Sequence, residues 1–389
     1  MADNLKNSIL EATREVIPGS GRAGLHEPEL KGNEIAYLTR CIESSWVSYL
    51  GEYVERFELE LAQVTNTKHA VVMVNGTVAL HAALVVAGVK PDDEVLVPSL
   101  TFVASANAVS HCQAIPHFID SEEQTLGLDP DALEAHLGQI AEMRDGACVN
   151  RQTGRIIRAV IPVHIFGHPV RMKELQRVAS KYNLVIVEDA AESLGSQMNG
   201  RPLGGDGLMG VLSFNGNKIV TTGGGGAVVT NDEEIAARLK HLTTTAKTPH
   251  AYEFNHDEIA YNYRMPNINA AVGCAQLEHL DDFIKRKRQL ADRYARAFAA
   301  IDGVQVFTEP EGAASNYWLN AILLDRSNAD ARNEVLEHLI ADKLQCRPVW
   351  TPMHKLPIYE SAPRASLEVC EDIAARLINL PSSPCLAEI

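Results

Sequence analysis

Through the first two-thirds of the chain, short apolar runs alternate with segments whose apolar residues recur at helical spacing. HAVVMV (69–74), EVLVPSL (94–100), AIPHFID (114–120), IIRAVIPVHIFG (156–167), LVIVEDAA (184–191), GVLSF (210–214) and GAVVTN (226–231) predict strands. They are apolar almost throughout, the mark of strands covered on both faces. Between them TVALHAALVVAG, DPDALEAHLGQI and MKELQRVASKYN predict helices. Strands alternating with helices in this way predict an α/β fold with a mostly parallel sheet. Such sheets bind ligands at the carboxyl ends of their strands.

The texture changes from about Asn267. NINAAVGCAQLEHLDDFIKRKRQLADRYARAFAAI predicts a long helical stretch, followed by VQVFTEP, NYWLNAILL, a helix near ADARNEVLEHLIADKL, and RPVW. This α+β tail predicts a small domain at 267–389, leaving 1–266 for an N-terminal segment and a large domain. The opening MADNLKNSILEATREVIPG predicts an amphipathic helix and lacks the apolar core of a signal peptide.

Composition narrows the function classes. A net charge of −15 argues against nucleic acid or an anionic membrane as the main partner. No apolar run reaches the length of a membrane span. Cysteines 41, 112, 148, 274, 346, 370 and 385 are odd in number and form no C-x-x-C, which predicts reduced thiols in a cytoplasmic protein. Two G-x-G-x-x-G matches, at 19–24 and 205–210, lack the strand–turn–helix context of a dinucleotide site. His164 and His168 fall where a strand runs into a loop, with no third ligand, so no metal is expected.

The candidate chemistry collects at strand ends. Lys218, in SFNGNKIVTTGGGG, is a lone charge between a strand and four glycines. LVIVEDAAES ends a strand on Glu188 and Asp189; Asp189 reads either as a helix N-cap or as a buried carboxylate facing a cationic ring nitrogen. Asn75-Gly76-Thr77 opens a helix, as a plain turn or as an anion cradle of backbone N–H groups. Phe102 follows another strand end, either as core or as one face of a flat cofactor. Together, a phosphate cradle, a carboxylate, a stacking ring and an isolated lysine are what pyridoxal 5′-phosphate requires. The lysine must be able to be neutral and nucleophilic, and the carboxylate keeps the ring nitrogen protonated. The glycines after Lys218 are expected to let the backbone turn tightly without side chains crowding the cofactor.

EDAAES, SFNGNK, TTGGGG and YNYRMPNINAAVG resemble the DegT/DnrJ/EryC1/StrS family of sugar aminotransferases, and the likeness runs from GLHEPELKGNE (24–34) to INLPSSPCL (378–386). The resemblance implies a type I PLP-dependent transferase fold (aspartate aminotransferase-like), with a mostly parallel seven-stranded sheet in the large domain. It also implies a homodimer, L-glutamate as donor, and pyridoxamine 5′-phosphate as the amino-carrying intermediate. Lys218 would form the Schiff base and move the proton, and Asp189 would pair with the ring nitrogen. Glu192, where the family usually has Gln, would meet the ring hydroxyl. Ser213 and the amides of Gly76 and Thr77 would hold the phosphate, which Asn262 would reach from the neighbouring subunit. Phe102 would stack on the ring. Arg347, Trp350 and His354, in RPVWTPMHKLP, would be either substrate contacts or structural residues. The run GGGG at 223–226 departs from the GEGG of many members.

WVSYLGEYVERFE, NGNKIVTTGGGG and the N-terminal helix are most similar to a LegC-like subgroup. That likeness implies amination at C4 of a UDP-linked 2-acetamido-2,6-dideoxy-4-keto sugar, toward legionaminic acid or bacillosamine. Other regiochemistry or another nucleotide, such as a GDP-4-keto (perosamine-type) or dTDP-3-keto sugar, stays open. So does a non-catalytic binding or regulatory protein of the same fold. Sugar dehydratases of this fold replace the Schiff-base lysine, which is present here.

Overall fold

The computed structural model describes residues 2–388. Seven strands form the main path of its large sheet: β1 (His69–Met73), β2 (Glu94–Pro98), β3 (Ile115–Ile119), β4 (Ile156–Val160), β5 (Val185–Asp189), β6 (Met209–Ser213) and β7 (Gly226–Thr230). Their order across the described sheet is β1-β7-β6-β5-β4-β2-β3. The pairs from β6 to β3 are parallel, whereas β7 runs antiparallel to both neighbours. Apolar periodicity carries no strand direction, so the reversal of β7 is not readable from its composition. A hairpin of Ala141–Arg144 and Ala147–Asn150 extends the sheet beside β4. It escaped the strand pattern because Glu142, Met143 and Arg144 face solvent. Its turn signal was present all the same: Asp145-Gly146 both take positive φ, as a tight hairpin turn requires.

The helices are α1 (Ala2–Val16), α2 (Glu34–Ser44), α3 (Glu52–Val64), α4 (Gly76–Val86), α5 (Val103–His111), α6 (Pro130–Ile140), α7 (Met172–Lys181), α8 (Glu233–Thr243), α9 (Asn267–Leu277), α10 (Leu280–Phe298), α11 (Arg332–Ala341) and α12 (Glu368–Arg376). Strand residues alternate between the two helical layers. Val71 and Val228 join the cluster containing Ala79, Ala83, Ala106 and Leu239 of α4, α5 and α8. Val72 and Val229 join Phe57, Leu61 and Ala271 of α3 and α9 on the other face. Double coverage is the physical reason these strands read as continuous apolar runs.

A second, antiparallel sheet comprises β8 (Val304–Val306), β9 (Asn320–Leu324), β10 (Arg347–Pro348) and β11 (Leu377–Leu380). Leu5, Ile9 and Val16 of α1 pack there with Leu290, Tyr294 and Leu339, so the first helix shares its core with the chain's far end. The texture change at Asn267 precedes the change in packing. α9 still buries Ala270 and Cys274 with α3, and α10 makes the crossing, with Phe283 in that cluster and Leu290 in the next. Among the described residues no helix is long and apolar enough to cross a membrane.

Candidate active site

At the carboxyl ends of β1, β2, β4, β5 and β6 lies a cavity of about 330 Å³, walled by Asn75, Gly76, Thr77, Phe102, Asp189, Lys218 and their neighbours. Its floor is the start of α4. The Asn75 side chain accepts the Val78 N–H at 2.9 Å, an N-cap bond that leaves the first amides of the helix facing the space. Ser213, at the end of β6, adjoins them. A Cβ on Gly226 would lie 2.5–2.6 Å from the backbone of Asn75 and Gly76, so β7 can pass this close only as glycine. Gly223 makes the tight turn expected of the glycine run, at φ +78, and Gly226 makes room for the anion cradle's backbone.

Asp189 ends β5 and is not a helix N-cap. One carboxylate oxygen accepts the Ser105 hydroxyl at 2.8 Å, and the other accepts the Ala191 N–H at 3.2 Å. Glu188, one residue earlier, points to the opposite face, where it pairs with His164 at 3.0 Å and accepts the N–H groups of Gly204, Asp206 and Gly207. The strand's two-residue period thus assigns one carboxylate to the cavity and the other to structure.

Lys218 enters from the turn after β6, its side chain 13% exposed. Its Nζ lies 3.3 Å from Glu192 Oε1 and 3.8 Å from the centre of the Trp318 ring. Burial pushes the Glu192 carboxyl above its ordinary range, while Lys218 and the Phe166 N–H, which donates to Oε2 at 2.8 Å, pull it back. Phe166 reaches that position only with φ 55°, ψ 14°, a left-handed conformation costly for a bulky residue and met most often where geometry serves a site.

An aromatic wall leads outward from the lysine. Trp318, Phe166, Trp350 and Phe102 follow at centroid separations of 6.4, 5.4 and 6.4 Å. Phe102 is 53% exposed at the mouth and is therefore not core. Arg347 is exposed and bonds the Cys346 carbonyl and Gln345. His354 is buried with both ring nitrogens occupied, by Ser99 at 2.7 Å and Glu371 at 2.8 Å. Neither lines the cavity, whereas Trp350 does. Asn262 is exposed and absent from its own chain's cavity. Sequence reasoning missed Trp318, Ser105 and Val163. The signal for Ser105 was slight, a small polar residue one turn into the helix after Phe102, and for Trp318 there was none.

An amine and a carboxylate at one cavity, beside a helix N-terminus able to take a phosphate, define a pyridoxal phosphate-dependent transferase, and the residues present fit that cofactor. Residues 28–388 match the DegT/DnrJ/EryC1/StrS aminotransferase family, and the chain belongs to it. It is a sugar aminotransferase that uses pyridoxal 5′-phosphate. It is 38% identical to the GDP-perosamine synthase of Escherichia coli O157:H7 over 363 residues, 93% of this chain and 94% of that one. With the GDP-perosamine synthase of Vibrio cholerae it shares 38% over 368 residues, 94% and 95% of the two chains. The solved structure of DesV from S. venezuelae superposes with a TM-score of 0.80 at 32% identity, covering 91% of this chain and 90% of that one.

Proposed function

We propose that the protein moves the amino group of L-glutamate onto C4 of a nucleotide-linked 4-keto-6-deoxyhexose, the GDP-linked sugar being the first substrate to try. The amine of Lys218, set among Glu192, Asp189 and the start of α4, is the observation that carries the reading. The GDP choice is supported by the two GDP-perosamine synthases among its relatives. The LegC-like segments at 46–58 and 215–226 favour a second reading, a UDP-linked 2-acetamido sugar.

Pyridoxal phosphate, when bound, supplies an electrophilic aldehyde and a ring that withdraws electrons, and its pyridoxamine form carries the amino group. Gly76, Thr77 and Ser213 would hold its phosphate, Asp189 would pair with the ring nitrogen, Glu192 would meet the ring hydroxyl, and Phe102 would stack on the ring. Lys218 would hold the cofactor through its amine, and its Nζ would hold or move the proton. Trp350 contacts the sugar. Asn262 serves the site of a second copy in a homodimer, a role its exposure permits. We place the enzyme in the cytoplasm, where its free cysteines stay reduced.

A panel of GDP-, UDP- and dTDP-linked keto sugars with glutamate tests the substrate, the aminated carbon being read by NMR of the product. The proposal expects the GDP-4-keto-6-deoxy sugar to lead by about tenfold or more in kcat/KM, a difference of about 1.4 kcal/mol. A lead for the UDP-acetamido sugar selects the second reading, and amination at C3 overturns both.

A further inference from the structure

We propose that Trp318 is a positioning residue for Lys218: its indole face holds the lysine amine inside the cavity, beside Glu192, whenever that amine is not bonded to the cofactor. The inference rests on Lys218 being the cofactor-bonding lysine.

The ring is placed with unusual redundancy. Its Nε1–H donates to the carbonyl of Asn217, the residue before Lys218, at 2.7 Å. Its backbone N–H donates to Asn316 Oδ1 at 2.7 Å. Its carbonyl accepts from Lys287 Nζ at 3.1 Å, and that amine also donates to the Ser382 carbonyl at 2.6 Å. Lys287 has no exposed surface, and burial holds its amine well below the ordinary lysine range. Asn316 in turn donates to the carbonyls of Glu192 and Leu194, both at 2.9 Å. One side chain therefore fixes both walls of the seat that Lys218 occupies.

The seat suits a cation. An ammonium over an indole face is attracted by the ring quadrupole, more strongly as water is excluded. The charged and titratable groups around it are Asp189 at the end of β5, Glu192 on the turn that follows, the buried His26 ring 6.4 Å from Trp318, and Lys287 on α10. A free lysine side chain has several rotatable bonds and must be ordered to act at one carbon. Trp318 supplies that order together with Glu192.

The test uses cofactor-free protein treated with limiting acetic anhydride, the modification of Lys218 being followed by mass spectrometry. At pH 7, Trp318→Met is expected to be modified about fivefold faster than the native chain, and Trp318→Phe within about twofold of it. The difference should close at strongly alkaline pH, because the ring attracts only a charged amine. Equal rates in native and Met chains overturn the proposal. A ratio that stays the same at every pH also overturns it, because that is the behaviour of simple steric cover. Should Trp318→Met fail to fold, Lys287→Met loosens the indole from behind, and unchanged modification of Lys218 there counts against the proposal in the same way. Borohydride reduction of the loaded native enzyme separates the two claims. A tag on another lysine overturns the underlying assignment, whereas a tag on Lys218 leaves that assignment standing whatever Trp318 does.

Discussion

Lys218 was legible because a lone charge between a strand and a glycine run has few structural uses, and Asp189 because a carboxylate ended an apolar strand. Ser105 and Trp318 were not. They reach the site from segments 84 residues before Asp189 and 100 residues after Lys218, and the local pattern around each is that of ordinary packing. The pairing of Glu192 with Lys218 depends on the backbone of Phe166, whose left-handed conformation no sequence signal announces. Close approach at Gly226 gives a sharp prediction. Gly226→Ala places a methyl 2.5–2.6 Å from the backbone of Asn75 and Gly76 and must displace the start of α4. It is expected to cost about 2 kcal/mol or more in urea unfolding and to weaken cofactor binding at least about tenfold. Native-like affinity for pyridoxal phosphate in that variant would separate the cradle from cofactor binding.

At the scale of elements, the doubly covered strands and the intervening helices were readable from apolar periodicity, and the direction of β7 was not. Nor was the partner of α1, since an amphipathic helix declares a face and not what covers it. Ile9 has no exposed surface in the core of the second sheet. Ile9→Ala is therefore expected to destabilise by about 2–5 kcal/mol in chemical denaturation, with the absorbance of bound cofactor unchanged. A second prediction concerns the HIFGHP segment. His168 is buried against Phe307 and Tyr317, at 4.8 and 5.2 Å, and burial lowers its pKa to about 3. A histidine depressed in the folded state stays neutral there while its unfolded counterpart takes up a proton near pH 6.5. Its contribution to stability is complete above about pH 6.5 and is lost as pH falls towards the folded value. Between about pH 6.5 and 5 the loss amounts to about 2 kcal/mol. His168→Gln should flatten this fall in melting curves, and an equally steep fall in the variant would remove His168 as its source.

For the whole molecule, the proposed homodimer has exposed apolar residues that it could cover. Ile35, Ile42 and Trp46 on and after α2, with Tyr252, Phe254 and Ile259, are all more than half exposed in the single chain. If Asn262 completes the neighbour's site, Asn262→Ala and Lys218→Ala chains should complement each other. Each alone is expected to be impaired, and mixing them with exchange of subunits should restore activity through hybrids that carry one intact site. No recovery in verified hybrids would place Asn262 outside the partner's site. Family membership and the cofactor came through in the sequence because they rest on short, contiguous motifs. The nucleotide did not, because no motif in the chain carries a mark of it.

The most direct measurement is the absorbance spectrum of the purified enzyme loaded with pyridoxal phosphate, before and after L-glutamate, in the native chain and in Lys218→Ala. The account predicts a visible band in the native enzyme that glutamate converts to the shorter-wavelength band of pyridoxamine phosphate, with release of 2-oxoglutarate. Lys218→Ala should fail to turn over. A native enzyme that takes up the cofactor yet leaves its spectrum unchanged with glutamate, or a Lys218→Ala chain that converts it as fast as native, would contradict the account.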